Sequence, residues 1–130
     1  MYLRGTEGVI FVYDITDKDS LEILKKYSEM RNEYCSEASV MVLGNKCDMK
    51  VMRQVTSEEG MKFANSMNAL FYETSAKTGE NVEVAFSEFI KSILIKREFS
   101  IDSAVGTNGK FIELDNAKVN YKRVVVLEMK

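Results

Sequence analysis

Two short polar segments carry residue types that could recognise a planar, hydrogen-bonding ligand. They read Asn45-Lys46-Cys47-Asp48 and Thr74-Ser75-Ala76-Lys77. The Asp48 carboxylate can accept two parallel hydrogen bonds from the N1–H and exocyclic N2–H₂ of guanine, a donor pair that adenine lacks. The Lys46 stem is long enough to lie over a planar base. The Asn45 amide can join neighbouring loops, and the Ala76 N–H is free to donate to a purine oxygen. These residue types therefore indicate a guanine site.

Each polar segment begins one residue after a short apolar run, and a third such run lies near the start of the chain. The runs are Val9-Ile-Phe-Val-Tyr13, Val40-Met-Val-Leu43 and Ala69-Leu-Phe-Tyr72. Unbroken apolar runs rich in β-branched and aromatic residues are typical of strands buried on both faces of a parallel sheet.

Helical patterns alternate with these strands. Leu21, Leu24 and Tyr27 begin a helix that is expected to continue to about Tyr34. Thr56-Ser-Glu-Glu59 forms a capping box that opens a second helix, which carries Phe63, Ala64 and Met67. Asn81 is expected to cap a third helix, with Val82, Phe86, Phe89 and Ile93 on its apolar face. Residues 8 to about 98 therefore predict a three-layer α/β fold whose sheet is mainly parallel. Ligands in such folds bind beyond the carboxyl ends of the strands, where both polar segments lie.

The composition of the chain argues against several classes of function. The chain has 130 residues and a net charge of −2, which favours one domain and gives no reason to expect a nucleic-acid or membrane-surface partner. It contains no His, which excludes imidazole catalysis. Its two cysteines, Cys35 and Cys47, cannot supply a zinc set and fit a reducing compartment. No apolar run is long enough to span a membrane.

The two polar segments resemble the guanine-recognition elements of the small GTPases, which read Asn-Lys-x-Asp and Ser-Ala-Lys. The resemblance extends to the Rab branch through Met1-Tyr-Leu-Arg-Gly-Thr-Glu-Gly-Val-Ile-Phe-Val-Tyr-Asp-Ile-Thr16, Phe63-Ala64 and Phe71-Tyr-Glu-Thr74, and covers residues 1 to about 98. It implies a guanine-binding set of Asn45, Lys46, Asp48, Ser75, Ala76 and Lys77. It also implies GTP or GDP as ligand, GTP hydrolysis, a switch function in vesicle traffic, and Rab regulators or effectors as partners.

Other family elements are not found in this sequence. No convincing G-x-x-x-x-G-K-[ST] phosphate loop is present, since the near-match from Ala104 to Gly109-Lys110-Phe111 places Phe where the Mg²⁺-binding hydroxyl must be. Asp-x-x-Gly, the first switch with its Thr, and the Gln that positions water are also missing. We therefore expect no catalytic and no metal-binding residue, and Mg²⁺ binding only with a missing N-terminal part. Met1 falls where Rab proteins carry an internal methionine, which suggests the C-terminal part of a Rab without the first three strands of the family. A fragment, an alternative transcript and an incomplete gene model all remain open.

The remainder of the chain differs from the family. Residues 99–110 are predicted to form a linker between a partial GTPase domain, residues 1–98, and an atypical tail, residues 111–130. Lys122-Arg-Val-Val-Val-Leu127 resembles the strand that opens a GTPase, so we expect Val124 to Leu127 to pair beside the strand at Val9 to Tyr13. Neither cysteine lies at the C-terminus, so no prenyl anchor is expected and the predicted location is cytoplasmic.

The sequence is consistent with two functions and disfavours a third. The first is a Rab-like GTPase by family, of which this chain alone would bind nucleotide no better than about 1 mM, roughly 4 kcal/mol, and would not hydrolyse GTP. The alternative is a non-catalytic protein-interaction module or a truncated gene product. A response-regulator domain is disfavoured, because Asp14 and Asp17 are too few for its acidic cluster.

Overall fold

The computed structural model describes residues 6–34, 36–105 and 124–129, and strands and helices alternate along most of them. The elements are β1 (Gly8–Asp14), α1 (Lys18–Tyr34), β2 (Ser39–Asn45), a 3₁₀ turn (Lys50–Met52), α2 (Ser57–Asn65), β3 (Leu70–Glu73), α3 (Val82–Val105) and β4 (Val124–Glu128). Thr56 caps α2 as its sequence predicts, because its side chain accepts a hydrogen bond from the Glu59 backbone N–H.

The four strands form one sheet in the order β3-β2-β1-β4, and all three pairings are parallel. This confirms the predicted α/β class with a mainly parallel sheet. β4 lies beside β1, with Gly8 opposite Val124 and Val12 opposite Glu128. β1 is therefore an interior strand, and the apolar edge that it would otherwise expose is paired.

Apolar side chains cover both faces of the sheet. One face packs against α1 and α2 through a buried set that includes Val9, Phe11, Tyr13, Leu21, Leu24, Val42, Phe63 and Ala64. The opposite face packs against α3 through Ile10, Met41, Leu43, Ala85, Phe89 and Ile93. The unbroken apolar runs in the sequence arise because β1 and β2 contact helices on both sides.

The buried face of α3 agrees with the prediction at Phe89 and Ile93 but not at Phe86. Ala85, Phe89 and Ile93 are buried at a spacing of four residues, whereas Phe86 is 40% exposed. The sequence pattern favours Phe86 for the core because Phe86 is a large apolar residue at helical spacing from Val82, Phe89 and Ile93. The helix instead approaches the sheet through a small residue, Ala85. Gly8 permits this close approach, since a Cβ there would lie 2.7 Å from Phe89 Cζ.

The end of α3 also differs from the prediction. The helix continues to Val105, so the stretch predicted as a linker from residue 99 begins inside it. The sequence from Val82 to Val105 contains no Gly or Pro, which explains why the helix can extend to Val105. Residues 106–123, which include the rest of the predicted linker and most of the tail, lie outside the described residues. The division between domain and tail stays a prediction. In the part of the chain that the structure describes, no helix is long and apolar enough to cross a membrane.

Candidate guanine-base site

The two polar segments meet at the carboxyl ends of β2 and β3. The Thr74 N–H donates to the Gly44 carbonyl at 2.8 Å, and the Cys47 N–H donates to the Thr74 carbonyl at 3.0 Å. These backbone bonds continue the parallel ladder beyond the strands. They bring the loop after β2 and the loop after β3 into direct contact, as the sheet topology requires.

Asp48 is oriented by a side chain from the other loop. The Ser75 hydroxyl donates to Asp48 Oδ1 at 2.7 Å, and Ser75 Oγ accepts the Thr78 N–H at 3.1 Å. Ser75 is fully buried, whereas Asp48 is exposed. The buried hydroxyl therefore holds an exposed carboxylate in one orientation, which is the arrangement that recognition of a donor pair needs.

Asn45 joins the same two loops, as its sequence position suggested. Its Oδ1 accepts the Ala76 backbone N–H at 3.3 Å, a long and therefore weak bond. The expectation that this N–H is free to meet a purine oxygen is thus wrong for this structure. A purine oxygen would have to share the Ala76 N–H with Asn45 or replace it.

Lys46 crosses from the β2 loop to the end of β1. It adopts a left-handed backbone conformation with φ of 65°, which is uncommon for a residue with a side chain. Its Nζ lies 2.7 Å from Asp14 Oδ2, so the ammonium is anchored at one edge of the site. Lys77 is exposed on the second loop.

Asp14 combines this ion pair with a turn. Its Oδ1 accepts the Thr16 N–H at 2.8 Å and the Thr16 hydroxyl at 2.6 Å, which stabilises the turn after β1. Partial burial opposes ionisation of Asp14, but the hydrogen bonds from Lys46 and Thr16 outweigh it and hold the pKa of the carboxyl below its usual range. Asp14 is therefore charged at neutral pH.

Cys47 is the variable position of the first motif and is buried. Burial raises the pKa of its thiol to about 11, and the hydrogen bond that Sγ donates to Glu80 Oε2 at 3.2 Å contributes in the same direction. The thiolate is the reactive form of cysteine, so this thiol is unreactive at neutral pH.

A cavity of about 310 Å³ lies beside Lys46, at the carboxyl ends of β1, β2 and β4. Its lining includes the acidic residues Asp14 and Glu128 and the basic residue Lys46. Two carboxylates against one cation do not favour the negative charge of a polyphosphate. Among the described residues, no group of three or more His, Cys, Asp or Glu could hold a metal ion. The described residues that line this cavity therefore include more acidic than basic side chains.

Comparison with known proteins shows the family of this chain. The model of the Ras family matches residues 1–95. The chain belongs to the Ras family. It is 37% identical to Ras-related protein Rab-8B of Homo sapiens over 131 residues, which cover 97% of the chain and 63% of the relative. It is 43% identical to Ras-related protein Rab-13 of Canis lupus familiaris over 96 residues, covering 73% and 47%. It is 46% identical to Ras-related protein Rab-18 of Caenorhabditis briggsae over 95 residues, covering 72% and 46%.

These relatives confirm that the chain is a Rab-like small GTPase family member. Proteins of the Ras family bind GTP and GDP. The chain spans between 46% and 63% of the length of the three Rab relatives named above.

One structural element beside the candidate site could not be predicted from the sequence. Arg53 and Glu73 form a two-pronged ion pair, with Nη1–Oε2 and Nη2–Oε1 distances of 2.7 and 2.9 Å. The Ser57 hydroxyl donates to Glu73 Oε1 at 3.0 Å, and the Asn81 amide donates to the Glu73 carbonyl at 2.9 Å. Glu73 thus fixes the end of β3 directly before Thr74. The partners lie far apart in sequence, so periodicity gave no signal for this contact.

Proposed function

We propose that this Rab-like chain recognises guanine nucleotides through the base, with Asp48 as the residue that selects guanine. The observation that supports this most is the 2.7 Å hydrogen bond from Ser75 to Asp48 Oδ1. It leaves an exposed carboxylate in a fixed orientation at the edge of the sheet where ligands of α/β folds bind.

The proposed specificity follows from hydrogen-bond matching. Guanine presents N1–H and N2–H₂ side by side, and a carboxylate can accept from both at once. Adenine has no such pair, so Asp48 would face it without donors. The cost of desolvating the carboxylate would then be uncompensated, and the complex would be weaker. The remaining proposed contacts are the Lys46 stem along the base and the Ala76 N–H, which the purine oxygen would share with Asn45 Oδ1. Asn45, Ser75 and Lys77 form the frame of the two loops.

For the phosphate end of the nucleotide we propose weak binding and no hydrolysis by this chain alone. Phosphoryl transfer depends on positioning and on electrostatic stabilisation of the phosphates. The cavity next to Lys46 instead carries Asp14 and Glu128. Base contacts alone support an affinity no better than about 1 mM, roughly 4 kcal/mol. Groups for Mg²⁺ and the γ-phosphate would have to come from residues outside this sequence.

With such groups present, the function that we propose is that of a Rab protein. It is a GTP-dependent switch in vesicle traffic, which acts in the cytoplasm through Rab regulators and effectors. This proposal rests on family membership together with the base site.

Calorimetric titration of the chain with GDP tests the proposal. We expect weak binding that does not change when Mg²⁺ is added and that Asp48→Ala abolishes. Glu58→Ala, which removes an exposed carboxylate from α2, is the matched control and should bind GDP as the wild type does.

Two results would contradict the proposal. Tight, Mg²⁺-dependent binding would show that a phosphate site exists, and the prediction of no hydrolysis would be wrong. If the chain does not bind GDP, or if Asp48→Ala binds GDP as tightly as the wild type, the proposed base site would be contradicted. Either result would favour the non-catalytic interaction module.

A further inference from the structure

β4 is an edge strand, and no described strand pairs with its outer side. Its inner side pairs with β1, and in the part of the chain that the structure describes the sheet ends at β4. An edge strand presents unpaired backbone N–H and C=O groups, and natural proteins usually protect such edges with Lys, Pro or a bulge. β4 contains neither Lys nor Pro, and its register with β1 is regular. This edge is therefore open to pairing with another strand.

One hydrogen bond fixes which backbone groups of β4 point outward. The Met129 N–H donates to the Val12 carbonyl of β1 at 3.0 Å. Along a strand, the N–H and C=O groups of successive residues point alternately toward the two neighbouring strands. The residues of β4 whose backbone groups point away from β1 are therefore Val124, Val126 and Glu128.

The side chain at the middle of this edge is apolar and exposed. Val126 is 55% exposed, although it lies within a strand. It occupies the same face of the sheet as Val124, which packs against the core cluster beneath α3. A strand that pairs with the outer side of β4 would remove part of this apolar surface from water, which favours association.

A second copy of β4 matches this edge. In an antiparallel pair, alternate residues form hydrogen-bonded pairs that exchange two N–H···O bonds. If a two-fold axis passes through Val126, this residue lies opposite its own copy and Val124 lies opposite Glu128 of the second copy. Every outward-pointing residue of β4 is then paired within the strand. If the axis moved to Leu127, Val124 would lie opposite a residue beyond Glu128, where β4 ends.

The same register keeps like charges apart. Glu128 is the charged residue of β4, and it would face Val124 rather than the other Glu128. Like charges directly opposite each other destabilise a pair of strands, whereas β-branched side chains in that position stabilise it. The Val126 side chains supply such a pair at the centre. The sequence of β4 is therefore complementary to itself in this register.

We propose that the chain forms a symmetric homodimer in which β4 pairs antiparallel with β4 of a second copy, centred on Val126. The two four-stranded sheets become one continuous sheet, and the two-fold symmetry closes the assembly. Because each copy contributes mainly one short strand, the interface is small, and we expect a dissociation constant that is roughly micromolar or weaker. Dimerisation is independent of guanine recognition, since the base site lies in the loops after β2 and β3.

Sedimentation velocity of the full chain over a range of concentrations tests the proposal. We expect a reversible equilibrium between monomer and dimer. Val126→Lys should weaken the dimer about tenfold or more, because two like charges would meet at the two-fold axis. Ile95→Lys is the matched control, since Ile95 is an apolar residue of α3 that is 62% exposed, and this variant should dimerise as the wild type does.

Cross-linking tests the register in a Cys35→Ser background, in which the remaining cysteine, Cys47, is buried. In the proposed dimer the two Val126 Cα atoms lie about 5.5 Å apart. The two Glu128 residues are offset by four positions along the strands, which separates them by roughly 13 Å. A short bismaleimide should therefore join Val126→Cys chains to each other far more readily than Glu128→Cys chains. A mixture of Val124→Cys and Glu128→Cys chains should also cross-link.

The proposal is overturned if the wild type stays monomeric up to its solubility limit, or if it forms assemblies of no fixed size. It is also overturned if Val126→Lys dimerises as tightly as Ile95→Lys. If Val126→Lys does not fold, which circular dichroism would show, the cross-linking comparison decides. Equal cross-linking of Val126→Cys and Glu128→Cys would then show that the copies meet elsewhere.

Discussion

The Ser75 hydroxyl donates to Asp48 Oδ1 across 2.7 Å and so joins two residues that follow different strands. Ser75 lies in the buried interior, and Asp48 lies at the surface. Since a free carboxylate rotates about its χ angles in water, this bond reduces the entropy that base binding would otherwise lose. It makes Ser75 a positioning residue for the proposed contact with guanine.

Replacement of Ser75 by Ala should weaken guanosine binding about fivefold, because a bond worth about 1 kcal/mol no longer orients Asp48. NMR titration of the wild type and of Ser75→Ala with guanosine measures the ratio. Ser87→Ala, an exposed serine on α3, is the matched control. Inosine lacks the exocyclic amine, so the wild type should prefer guanosine to inosine and Asp48→Ala should not. Equal affinities of the wild type for the two nucleosides would contradict the role of Asp48.

Replacement of Tyr13 by Phe should stabilise the fold by about 1 kcal/mol. Tyr13 is fully buried, and among the described residues its hydroxyl has no hydrogen-bond partner. Burial also raises the pKa of this phenol well above its ordinary value. Removing the hydroxyl therefore removes an unpaired polar group from the core. Urea unfolding of both proteins measures the change in the free energy of unfolding, and a loss of stability in Tyr13→Phe would indicate a partner for the hydroxyl.

Gly60→Ala should destabilise the fold, because Gly60 packs closely against the Tyr13 hydroxyl. A Cβ at Gly60 would lie 2.1 Å from Tyr13 Oη and 2.7 Å from Phe71 Cε1. Overpacking of this kind costs about 1–3 kcal/mol. In the background of Tyr13→Phe the cost should be smaller, because the nearest obstructing atom is absent. Urea unfolding of the four proteins of this double-mutant cycle measures the coupling, and additive effects would contradict the contact.

The ion pair of Glu73 with Arg53 should make stability fall in acid. The hydrogen bonds from Arg53 hold the pKa of Glu73 below its usual range, despite the opposing effect of partial burial. A lowered pKa in the folded state stabilises the protein above the pKa of the unfolded state, about 4.3, and this contribution is lost as the pH falls further. The unfolding free energy measured at pH 3 and pH 7 should therefore differ less in Glu73→Gln than in the wild type. An equal difference in the two proteins would show that other carboxyls determine the acid response.

The loss of stability on truncation of a β4 side chain should depend on the face of the sheet that the side chain occupies. Leu127 packs against the core cluster shared with α1 and α2, whereas Val126 is 55% exposed. Leu127→Ala should cost about 2 kcal/mol and Val126→Ala less than about 0.5 kcal/mol. Thermal unfolding measures both. Equal small effects would indicate that β4 adds little to the sheet in solution.

The parts of this fold that could be predicted from sequence are those with a local signal. The apolar runs before Asn45 and Thr74 predicted two neighbouring buried strands, and the topological rule then placed both polar loops at one edge. The capping box at Thr56 likewise specified the start of α2. What could not be predicted depends on contacts between distant residues. Nothing near Ala85 shows that a small residue rather than Phe86 contacts the sheet. The pairing of Arg53 with Glu73 also becomes visible only when the folded chain brings them together.

The position of β4 has a consequence for the order of folding. β1 and β2 are joined by a single helix, as are β2 and β3, so each of these pairs closes a short loop. The pairing of Gly8 with Val124 closes a loop that contains almost the whole chain. Loop-closure entropy delays such contacts, and parallel pairing between remote segments is intrinsically slow. We therefore expect β1, β2 and β3 to assemble with their helices first and β4 to join last. During that interval the apolar edge of β1 is unpaired, and the yield of refolded protein should fall as its concentration rises.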